Sequence, residues 1–180
     1  SGKFIHESLL KNGFKSSLID YRDLVELEKL KDFDLVFIAL HGWEGESGIL
    51  QSKMEEAGIN YTGSDFEACK NSWDKKICKN ILRQHNLPTP DFLVYETFQK
   101  IIESKNEINK QFQKGAFIKP SKEGSSIDII KVEDFSKCDL QKIKSNLVDE
   151  DREFLVEKFI EGREFTVGLL NDEILEPLEI

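Results

Sequence analysis

The spacing of apolar residues divides the chain into two parts. In the first part, the run Asp34–Leu40 is almost continuously apolar, which is typical of a strand covered on both faces in a parallel sheet. The elements predicted for this part are a helix ending at Asn12 before Gly13, strands at Ser17–Tyr21 and Asp34–Leu40, a helix at Ile49–Ala57 ended by Gly58, and a strand at Ile59–Thr62. The order strand, loop, helix, strand forms a βαβ unit, so the first part is predicted to be α/β.

The second part begins, after a predicted boundary near Gly63–Asp65, with a helix capped by Asp65. Its apolar residues recur every three or four positions and form one face: Phe66, Cys69, Trp73, Ile77 and Ile81. Pro88 and Pro90 end this helix because proline cannot continue it. The elements predicted beyond them are strands at Phe92–Tyr95, Ala116–Pro120, Ile127–Val132 and Phe154–Phe159, helices at Phe98–Phe112 and Leu140–Leu147, and a hairpin of Phe165–Leu170 and Ile174–Ile180 around Asn171 and Asp172.

The composition is that of a globular, acidic protein. Of its 180 residues, 39% are hydrophobic and 33% are charged, and the length is sufficient for a sizeable core. The net charge of −9 argues against a nucleic-acid partner but is compatible with a nucleotide held by a few lysines. The longest apolar run, Leu35–Leu40, is too short to cross a bilayer, so no membrane partner is expected. The three cysteines, Cys69, Cys78 and Cys138, lack metal-site spacing and are interpreted as free thiols of a cytoplasmic protein.

The segment Phe117–Ile127, with the sequence FIKPSKEGSSI, carries the strongest local signal for chemistry. A strand delivers Lys119, and the small-residue loop after it can present consecutive backbone N–H groups to an anion. The hydroxyls of Ser125 and Ser126 add donors, while Gly124 permits close approach of the backbone. The spacing differs from a Walker A loop, so the segment is interpreted as either another kind of phosphate loop or a polar turn between strands.

The loop His41–Gly48, with the sequence HGWEGESG, directly follows the apolar strand. Ligands of open α/β sheets gather at the carboxyl ends of strands, where this loop is expected to lie. His41 is therefore a candidate for orienting a substrate carboxylate. The alternative is a histidine that satisfies backbone groups of the loop, with Glu44 and Glu46 simply solvated.

A third candidate segment is Phe154–Val167, in which an apolar strand leads into alternating charged and apolar residues. A nucleotide base can lie along such a stretch, and a carboxylate further on can accept hydrogen bonds from ribose hydroxyls. The alternative is a sheet surface carrying cross-strand ion pairs.

In this order and spacing, the segments resemble the D-alanine–D-alanine ligases of the ATP-grasp class. The stretches that carry the resemblance are residues 39–64 (ALHGWEGESGILQSKMEEAGINYTGS), 71–90 (NSWDKKICKNILRQHNLPTP), 117–127 and 157–170 (EKFIEGREFTVGLL). The resemblance covers nearly the whole chain. It implies a parallel-sheet N-terminal domain at 1–64 without its first strand, an α+β central nucleotide-lid domain at 65–157, and the first strands of a C-terminal domain at 158–180.

The resemblance implies an enzyme that uses ATP to phosphorylate the carboxylate of one D-alanine, after which the amine of a second attacks the acylphosphate. The product would serve peptidoglycan precursor synthesis. The residues expected to bind ATP are Lys75 and Lys119 at the phosphates, Glu123, Gly124, Ser125 and Ser126 in a mobile loop, Glu157, Lys158 and Ile160 around adenine, and Glu164 at the ribose. His41 would lie beside the first D-alanine and Ser125 would orient the second, so these two are the candidate catalytic and substrate-binding residues.

The resemblance also implies Mg²⁺, with acidic and Asn ligands in a C-terminal part that does not occur before Ile180, so no metal ligand is expected in this chain. It further implies a cytoplasmic homodimer. The chain is expected to be cut short at both ends and to be inactive alone. Three positions depart from the family pattern: Asp128 stands where the loop usually has Gly, Ser47 where Asp is common, and Trp43 is bulkier than the usual residue.

Two other interpretations remain from the sequence. One is a D-alanine–D-lactate ligase or another ATP-grasp carboxylate–amine ligase. The other is a non-catalytic nucleotide-binding remnant, against which the joint presence of Lys75, Lys119, Gly124 and Glu164 argues.

Overall fold

Helices form the first part of the chain and a mixture of helices and strands forms the second in the computed structural model, which describes residues 2–24, 27–171 and 173–180. The α-helices are α1 (Gly2–Lys11), α2 (Trp43–Glu46), α3 (Ile49–Ala57), α4 (Phe66–Trp73), α5 (Lys75–Gln84), α6 (Phe98–Glu103), α7 (Lys105–Gln111) and α8 (Leu140–Lys144). The strands are β1 (Phe92–Tyr95), β2 (Ala116–Pro120), β3 (Ile130–Val132), β4 (Phe154–Lys158), β5 (Phe165–Thr166), β6 (Leu169–Leu170), β7 (Glu173–Ile174) and β8 (Leu178–Glu179). Short 3₁₀ segments lie at Tyr21–Asp23 and Leu27–Asp32.

A four-stranded antiparallel sheet with the order β1-β4-β2-β3 organises the second part of the chain. Successive side chains of a strand point to opposite faces, and in β2 the alternate residues Ala116, Ile118 and Pro120 are buried. That face packs against helices α6, α7 and α8. The buried core comprises Phe98, Ile101, Ile108, Phe112, Ala116, Ile118, Val132, Phe135, Leu140, Phe154 and Val156.

The opposite face of the sheet is polar and aromatic. Phe117 and Lys119 alternate with the buried residues of β2, and Glu157 of β4 lies directly across from Phe117. Helix α5 reaches this face, since the guanidinium of Arg83 lies 4.3 Å from the ring centroid of Phe92. The sheet therefore leaves one face free of the main core.

The first part of the chain has a smaller core, formed by Leu30, Leu50, Met54 and Ile59. Helix α3 and its end at Gly58 are as predicted, and Gly58 adopts the left-handed conformation that a helix stop requires. Val36 and Tyr61 form a parallel bridge, the strand direction expected of a βαβ unit. Helix α1 also ends before Gly13, as predicted.

The predicted strands of the first part are shorter than expected. The strand predicted at Ser17–Tyr21 is wrong, because residues 17–20 carry no strand and Tyr21 begins a 3₁₀ segment. Among the described residues, Asp34–Leu40 and Ile59–Thr62 are paired at a single parallel bridge in place of two full strands. The prediction that Asp34–Leu40 is covered on both faces is wrong, because Leu35 and Phe37 are 57% and 52% exposed. Leu35 and Phe37 both line a cleft of about 430 Å³, which leaves part of each side chain open to solvent.

Two predicted helices are each broken into two. Asp74 interrupts the helix that starts after Asp65, with an extended backbone at φ −85° and ψ 103°. Ser104 separates α6 from α7, where the predicted helix was continuous. The spacing of apolar residues predicts one apolar face along a helix, and a single non-helical residue hardly changes that spacing. The sequence pattern therefore did not reveal either break.

Other boundaries also differ. The strand predicted at Ile127–Val132 begins only at Ile130, because Ser126 and Asp128 have left-handed backbones that cannot join a ladder. The strand predicted to end at Phe159 ends at Lys158, and the helix predicted to reach Leu147 ends at Lys144. The C-terminal hairpin is confirmed as the pairs β5–β8 and β6–β7, although Asp172 of its turn lies outside the described residues.

Candidate functional site

Lys75 is positioned by the break between α4 and α5. The carboxylate of Asp74 accepts hydrogen bonds from the Lys76 and Ile77 N–H groups, at 3.0 and 3.2 Å, and so caps α5. The same carboxylate accepts a bond of 2.9 Å from the Ser121 hydroxyl, and the Lys75 N–H donates to the Ser121 carbonyl at 2.9 Å. The start of α5 is thereby fixed to the beginning of the small-residue loop.

The Asp74 carboxyl is held in its charged form although it is buried. Burial acts to raise its pKa, but the hydrogen bonds from Ser121 and Ile77 and the charge of Lys122 outweigh burial and lower the pKa. Lys122 Nζ lies 3.6 Å from the second carboxylate oxygen. A negative charge is thus maintained at the base of the loop.

Two lysines converge beside this loop. Lys75 Nζ donates to the carbonyl oxygen of Glu123 at 2.5 Å. Burial first, and then the like charge of Lys119, lower the pKa of Lys75. Two cations that repel each other in a partly buried place would both gain from an anion bound between them.

The carboxylate of Glu157 bridges two lysines on the open face of the sheet. Its oxygens lie 2.6 Å from Lys119 Nζ and 2.6 Å from Lys79 Nζ. Burial acts to raise the pKa of Glu157, but the hydrogen bonds from these lysines lower it. Lys79 also donates to the Thr89 hydroxyl at 2.6 Å and lies 5.0 Å from the ring centroid of Phe92.

The loop after β2 has an unusual backbone. Ser125, Ser126 and Asp128 have φ values of +50°, +59° and +52°, a region that residues with side chains rarely adopt. Arg152, two residues before β4, donates from Nη1 to Glu123 Oε1 at 2.8 Å and from Nη2 to the carboxylate of Asp128. The loop is therefore tied to the sheet at both of its ends.

The loop that carries His41 lies against the same segment. A Cβ added to Gly124 would lie 3.3 Å from a carboxylate oxygen of Glu46 and 3.5 Å from the indole of Trp73. The other oxygen of Glu46 lies 3.5 Å from His41 Nδ1. The structure thus brings together two loops that are about eighty residues apart in the sequence.

Not every residue predicted for the site joins this cluster. The backbone N–H of Lys158 donates to the Asp91 carbonyl at 2.9 Å, and its side chain is exposed. Ile160 is 57% exposed, and Glu164 accepts a backbone hydrogen bond from Ile180 at 3.0 Å in the C-terminal hairpin. The roles of these three residues, like the domain boundaries at 64 and 157, stay predictions.

Sequence reasoning missed Lys79, Asp74 and Arg152. Lys79 could have been found, because residues four apart on a helix share a face and Lys75 was already a candidate. Arg152 offered no local signal, since the carboxylates it contacts are 24 and 29 residues away in the chain.

Neither a group of metal-binding side chains nor a membrane-spanning helix occurs among the described residues. Across residues 2–24, 27–171 and 173–180, no three His, Cys, Asp or Glu side chains are grouped in a way that could hold a metal ion. Within the same described ranges, every helix is too short or too polar to cross a membrane.

Comparison with known proteins gives a consistent result. The family model described as the D-Ala-D-Ala ligase C-terminus matches residues 81–180. A D-alanine–D-alanine ligase from Carboxydothermus hydrogenoformans is 36% identical over 100% of this chain and 59% of its own length. One from Bordetella petrii is 39% identical over 94% of this chain and 51% of its own length.

Solved structures agree with the sequence matches. The D-alanine–D-alanine ligase of Bacillus anthracis, complexed with ATP, aligns with a TM-score of 0.72 and 29% identity over 94% of this chain and 55% of that chain. The VanG D-Ala:D-Ser ligase of Enterococcus faecalis aligns with a TM-score of 0.64 and 33% identity over 79% of this chain and 41% of that chain.

These likenesses define the class as ligases of ATP-grasp fold, which confirms the predicted fold class. The chain belongs to the D-alanine–D-alanine ligase family. It spans about half the length of the curated relatives it matches.

Proposed function

We propose that this chain is the nucleotide-binding portion of an enzyme that ligates two D-alanines at the expense of ATP. The observation that carries the proposal is the convergence of Lys75 and Lys119 beside the loop at Glu123, on the open face of the sheet. Membership of the ligase family and the likeness to a ligase complexed with ATP support it. Because the chain covers only part of its relatives, the reaction, its substrates and its partners belong to the proposal as well.

The two lysines suit the phosphates of ATP. Lys75 is partly desolvated and repelled by Lys119, so an incoming polyanion would relieve the repulsion and restore favourable charge pairing. Lys119 would exchange part of its contact with Glu157 for a phosphate oxygen. Such cations stabilise the negative charge of a phosphoryl group during its transfer.

The reaction then has two stages. The carboxylate of one D-alanine attacks the terminal phosphorus of ATP, which gives an acylphosphate and releases ADP. The amine of the second D-alanine attacks the acyl carbon, and inorganic phosphate leaves as the peptide bond forms. Closure of the loop Glu123–Ser126 would keep water from the acylphosphate.

The remaining assignments follow the family pattern. Glu157, Lys158 and Ile160 are proposed to frame the adenine, and Glu164 to bind the ribose. The aromatic and cationic surface beside Glu157 supports this, since Phe117 and Phe159 lie with ring centroids 5.8 Å apart on that face.

The substrate assignments rest on the two adjacent loops. His41 is proposed to lie beside the first D-alanine, and its ring, 3.5 Å from a carboxylate oxygen of Glu46, belongs to the loop that reaches Gly124. Ser125 is proposed to orient the second D-alanine. The nearness of Glu46 to Gly124 supports a shared pocket for the two substrates.

We further propose a cytoplasmic homodimer that supplies peptidoglycan precursors. Magnesium belongs to the proposal as the counter-ion of ATP. No residue of this chain is assigned to it.

Nucleotide titration of the purified chain tests the binding half of the proposal. Lys119→Gln and Lys75→Gln should each weaken ATP binding by about tenfold, because each removes a charge-assisted contact to phosphate. Lys142→Gln, an exposed residue of α8 on the other side of the sheet, is the control and should not change ATP affinity.

AMP distinguishes phosphate contact from general damage to the site. Lysines that bind the terminal phosphates should affect ATP much more than AMP. An equal loss of affinity for both nucleotides, or no loss for either, would reject the assignment of these lysines to the terminal phosphates. Thermal unfolding without nucleotide shows whether each variant remains folded.

Turnover by the complete protein tests the reaction. D-alanine-dependent phosphate release with formation of D-alanyl-D-alanine is the expected result. The acceptors D-serine and D-lactate should be compared with D-alanine, because a D-Ala:D-Ser ligase is among the similar structures. Preference for either of them would replace the D-alanine assignment, and ATP binding without turnover would favour a non-catalytic nucleotide-binding role.

A further inference from the structure

The guanidinium of Arg152 joins the two ends of the small-residue loop. It bonds Glu123 before the turn at 2.8 Å, and it bonds Asp128 after the turn. The side chains of Arg152 and Asp128 are only 17% and 11% exposed, so water screens this contact weakly. Asp128 also accepts a hydrogen bond of 3.1 Å from the Val148 N–H.

The backbone that follows Arg152 is held by pairing with the end of β2. The next residue, Glu153, accepts a backbone hydrogen bond of 2.9 Å from the Ser121 N–H, and Phe154 pairs with Pro120 in the sheet. The position of the guanidinium is therefore set by the strands β2 and β4, whereas the residues it holds belong to the loop.

The loop between these contacts needs such support. Ser125, Ser126 and Asp128 all have positive φ values, and each such backbone costs free energy unless surrounding contacts compensate. Glycine adopts such a φ without strain, but position 128 carries an aspartate. Its carboxylate contacts Arg152, and this contact can compensate the cost of the backbone conformation.

We propose that Arg152 is a positioning residue, and that its paired contacts to Glu123 and Asp128 hold the loop 123–128 in the conformation that faces Lys75 and Lys119. It acts on nucleotide binding through the loop and not by contact with phosphate. The effect on nucleotide affinity rests on the function proposed above, whereas the effect on loop order does not.

The contacts lead to a specific pattern among variants. Arg152→Gln and Asp128→Asn each break the link, and Asn tolerates a positive φ, so the second variant adds little backbone strain. If Arg152 acts through Asp128, the double variant should be no worse than either single one. Arg152→Lys, which keeps the charge but loses the planar fork, should restore only part of the effect.

Hydrogen–deuterium exchange of the full chain measures loop order without nucleotide. The loop amides that report are those of Ile127 and Ile129, which donate to the Gly124 and Ser126 carbonyls at 3.1 and 3.4 Å. In both single variants and in the double variant, these two amides should exchange about tenfold faster. The matched control is Arg22→Gln, which breaks an exposed Arg–Asp contact with Asp20 and should leave the loop unchanged. Unchanged exchange in the loop of both single variants would overturn the proposal.

Trp73 offers a second measure of the same loop. The indole lies 3.5 Å from the position that a Cβ of Gly124 would occupy, and Trp43 is the other tryptophan of the chain. In a Trp43→Phe background, the emission of Trp73 should shift in Arg152→Gln and in Asp128→Asn by the same amount. Emission identical to the parent protein would count against a displaced loop.

ATP titration then separates positioning from direct contact. Positioning predicts that Arg152→Gln and Asp128→Asn weaken ATP binding equally and that their effects do not add. If Arg152 bound phosphate directly, Arg152→Gln would lower ATP affinity, whereas Asp128→Asn would leave it unchanged or raise it. That result would overturn the proposal. If the unchanged chain binds no ATP, the proposed function fails, while the exchange measurement still decides the role of Arg152.

Discussion

Replacing Glu157 by Gln tests whether one carboxylate charge organises the lysines on the open face of the sheet. Its two oxygens lie 2.6 Å from Lys119 Nζ and 2.6 Å from Lys79 Nζ. Glutamine has a similar shape but only one accepting oxygen and no charge. The variant therefore removes the charge and one acceptor with little change in volume.

The size of the effect follows from how far these groups are shielded from water. Removing one partner of a buried ion pair costs about 3–5 kcal/mol. The side chain of Lys119 is 23% exposed and can recover some hydration, while Lys79, at 8%, keeps its bond to Thr89. We therefore expect the free energy of unfolding to fall by about 2–3 kcal/mol.

Urea titration at several pH values gives the assay. The pKa of Glu157 in the folded chain lies below its ordinary value of 4.5, despite burial, because the two lysines bind the charged form. The unfolded state then binds the proton more readily, so the contribution is present above about pH 4.5 and is lost as the pH falls through the lowered pKa. The free energies of unfolding of the parent chain and Glu157→Gln should differ by the full amount at neutral pH and become equal in acid.

Two results would refute this reasoning. If the two free energies of unfolding differ by the same amount at every pH, the shape of the side chain and not its charge causes the loss of stability. A loss no larger than that of Glu133→Gln, whose side chain is 81% exposed and pairs with Lys131 at 3.3 Å, would mean that the lysines do not depend on Glu157. That control should change stability by less than about 0.5 kcal/mol.

Two further predictions concern the backbone around the site. Gly115→Ala would place a Cβ 2.6 Å from a carbonyl oxygen of β3 at φ +90°, so thermal unfolding should show a loss of about 2–4 kcal/mol. Gly58→Ala, at φ +69° with no atom within 4 Å of the added Cβ, should lose only about 1 kcal/mol, and equal losses would contradict the steric argument. Asp74→Ala removes the cap of α5 and the acceptor of the Ser121 hydroxyl, so urea titration should show a loss of about 2 kcal/mol together with weaker ATP binding. Unchanged ATP affinity in a folded Asp74→Ala protein would mean that the cap does not position Lys75.

The residues of the candidate site could be found from the sequence where their signals are local. Lys119, Gly124, Ser125 and Ser126 lie within one short segment whose composition and position after a strand suggested either an anion site or a polar turn, and their role stays a prediction. His41 became a candidate by its place after an apolar run, and its role also stays a prediction. What the pattern could not give is the partner of each group, because the contacts Lys79–Glu157 and Arg152–Asp128 join distant parts of the chain.

The strands of the first part show a different limit of prediction from the sequence, which concerns their burial. The apolar run Asp34–Leu40 has the composition of a buried strand, yet Leu35 and Phe37 are more than half exposed. A strand becomes covered only when neighbouring strands and helices lie on it, and composition records the tendency without the neighbours. The direction of the Val36–Tyr61 bridge, in contrast, followed from the order of the elements.

By itself, the sequence determined the elements whose signals are short-range. The end of α3 at Gly58, the cap at Asp65 and the bounds of β2 depend on a few neighbouring residues, so they could be predicted correctly. Only the tertiary structure decided the break at Asp74 and the left-handed backbone of Ser125, Ser126 and Asp128. The left-handed backbones are unfavourable locally, and contacts made across the fold, such as that of Arg152 with Asp128, stabilise them. The extended backbone of Asp74 suits a helix cap, and its place in the fold is set by the contact with Ser121.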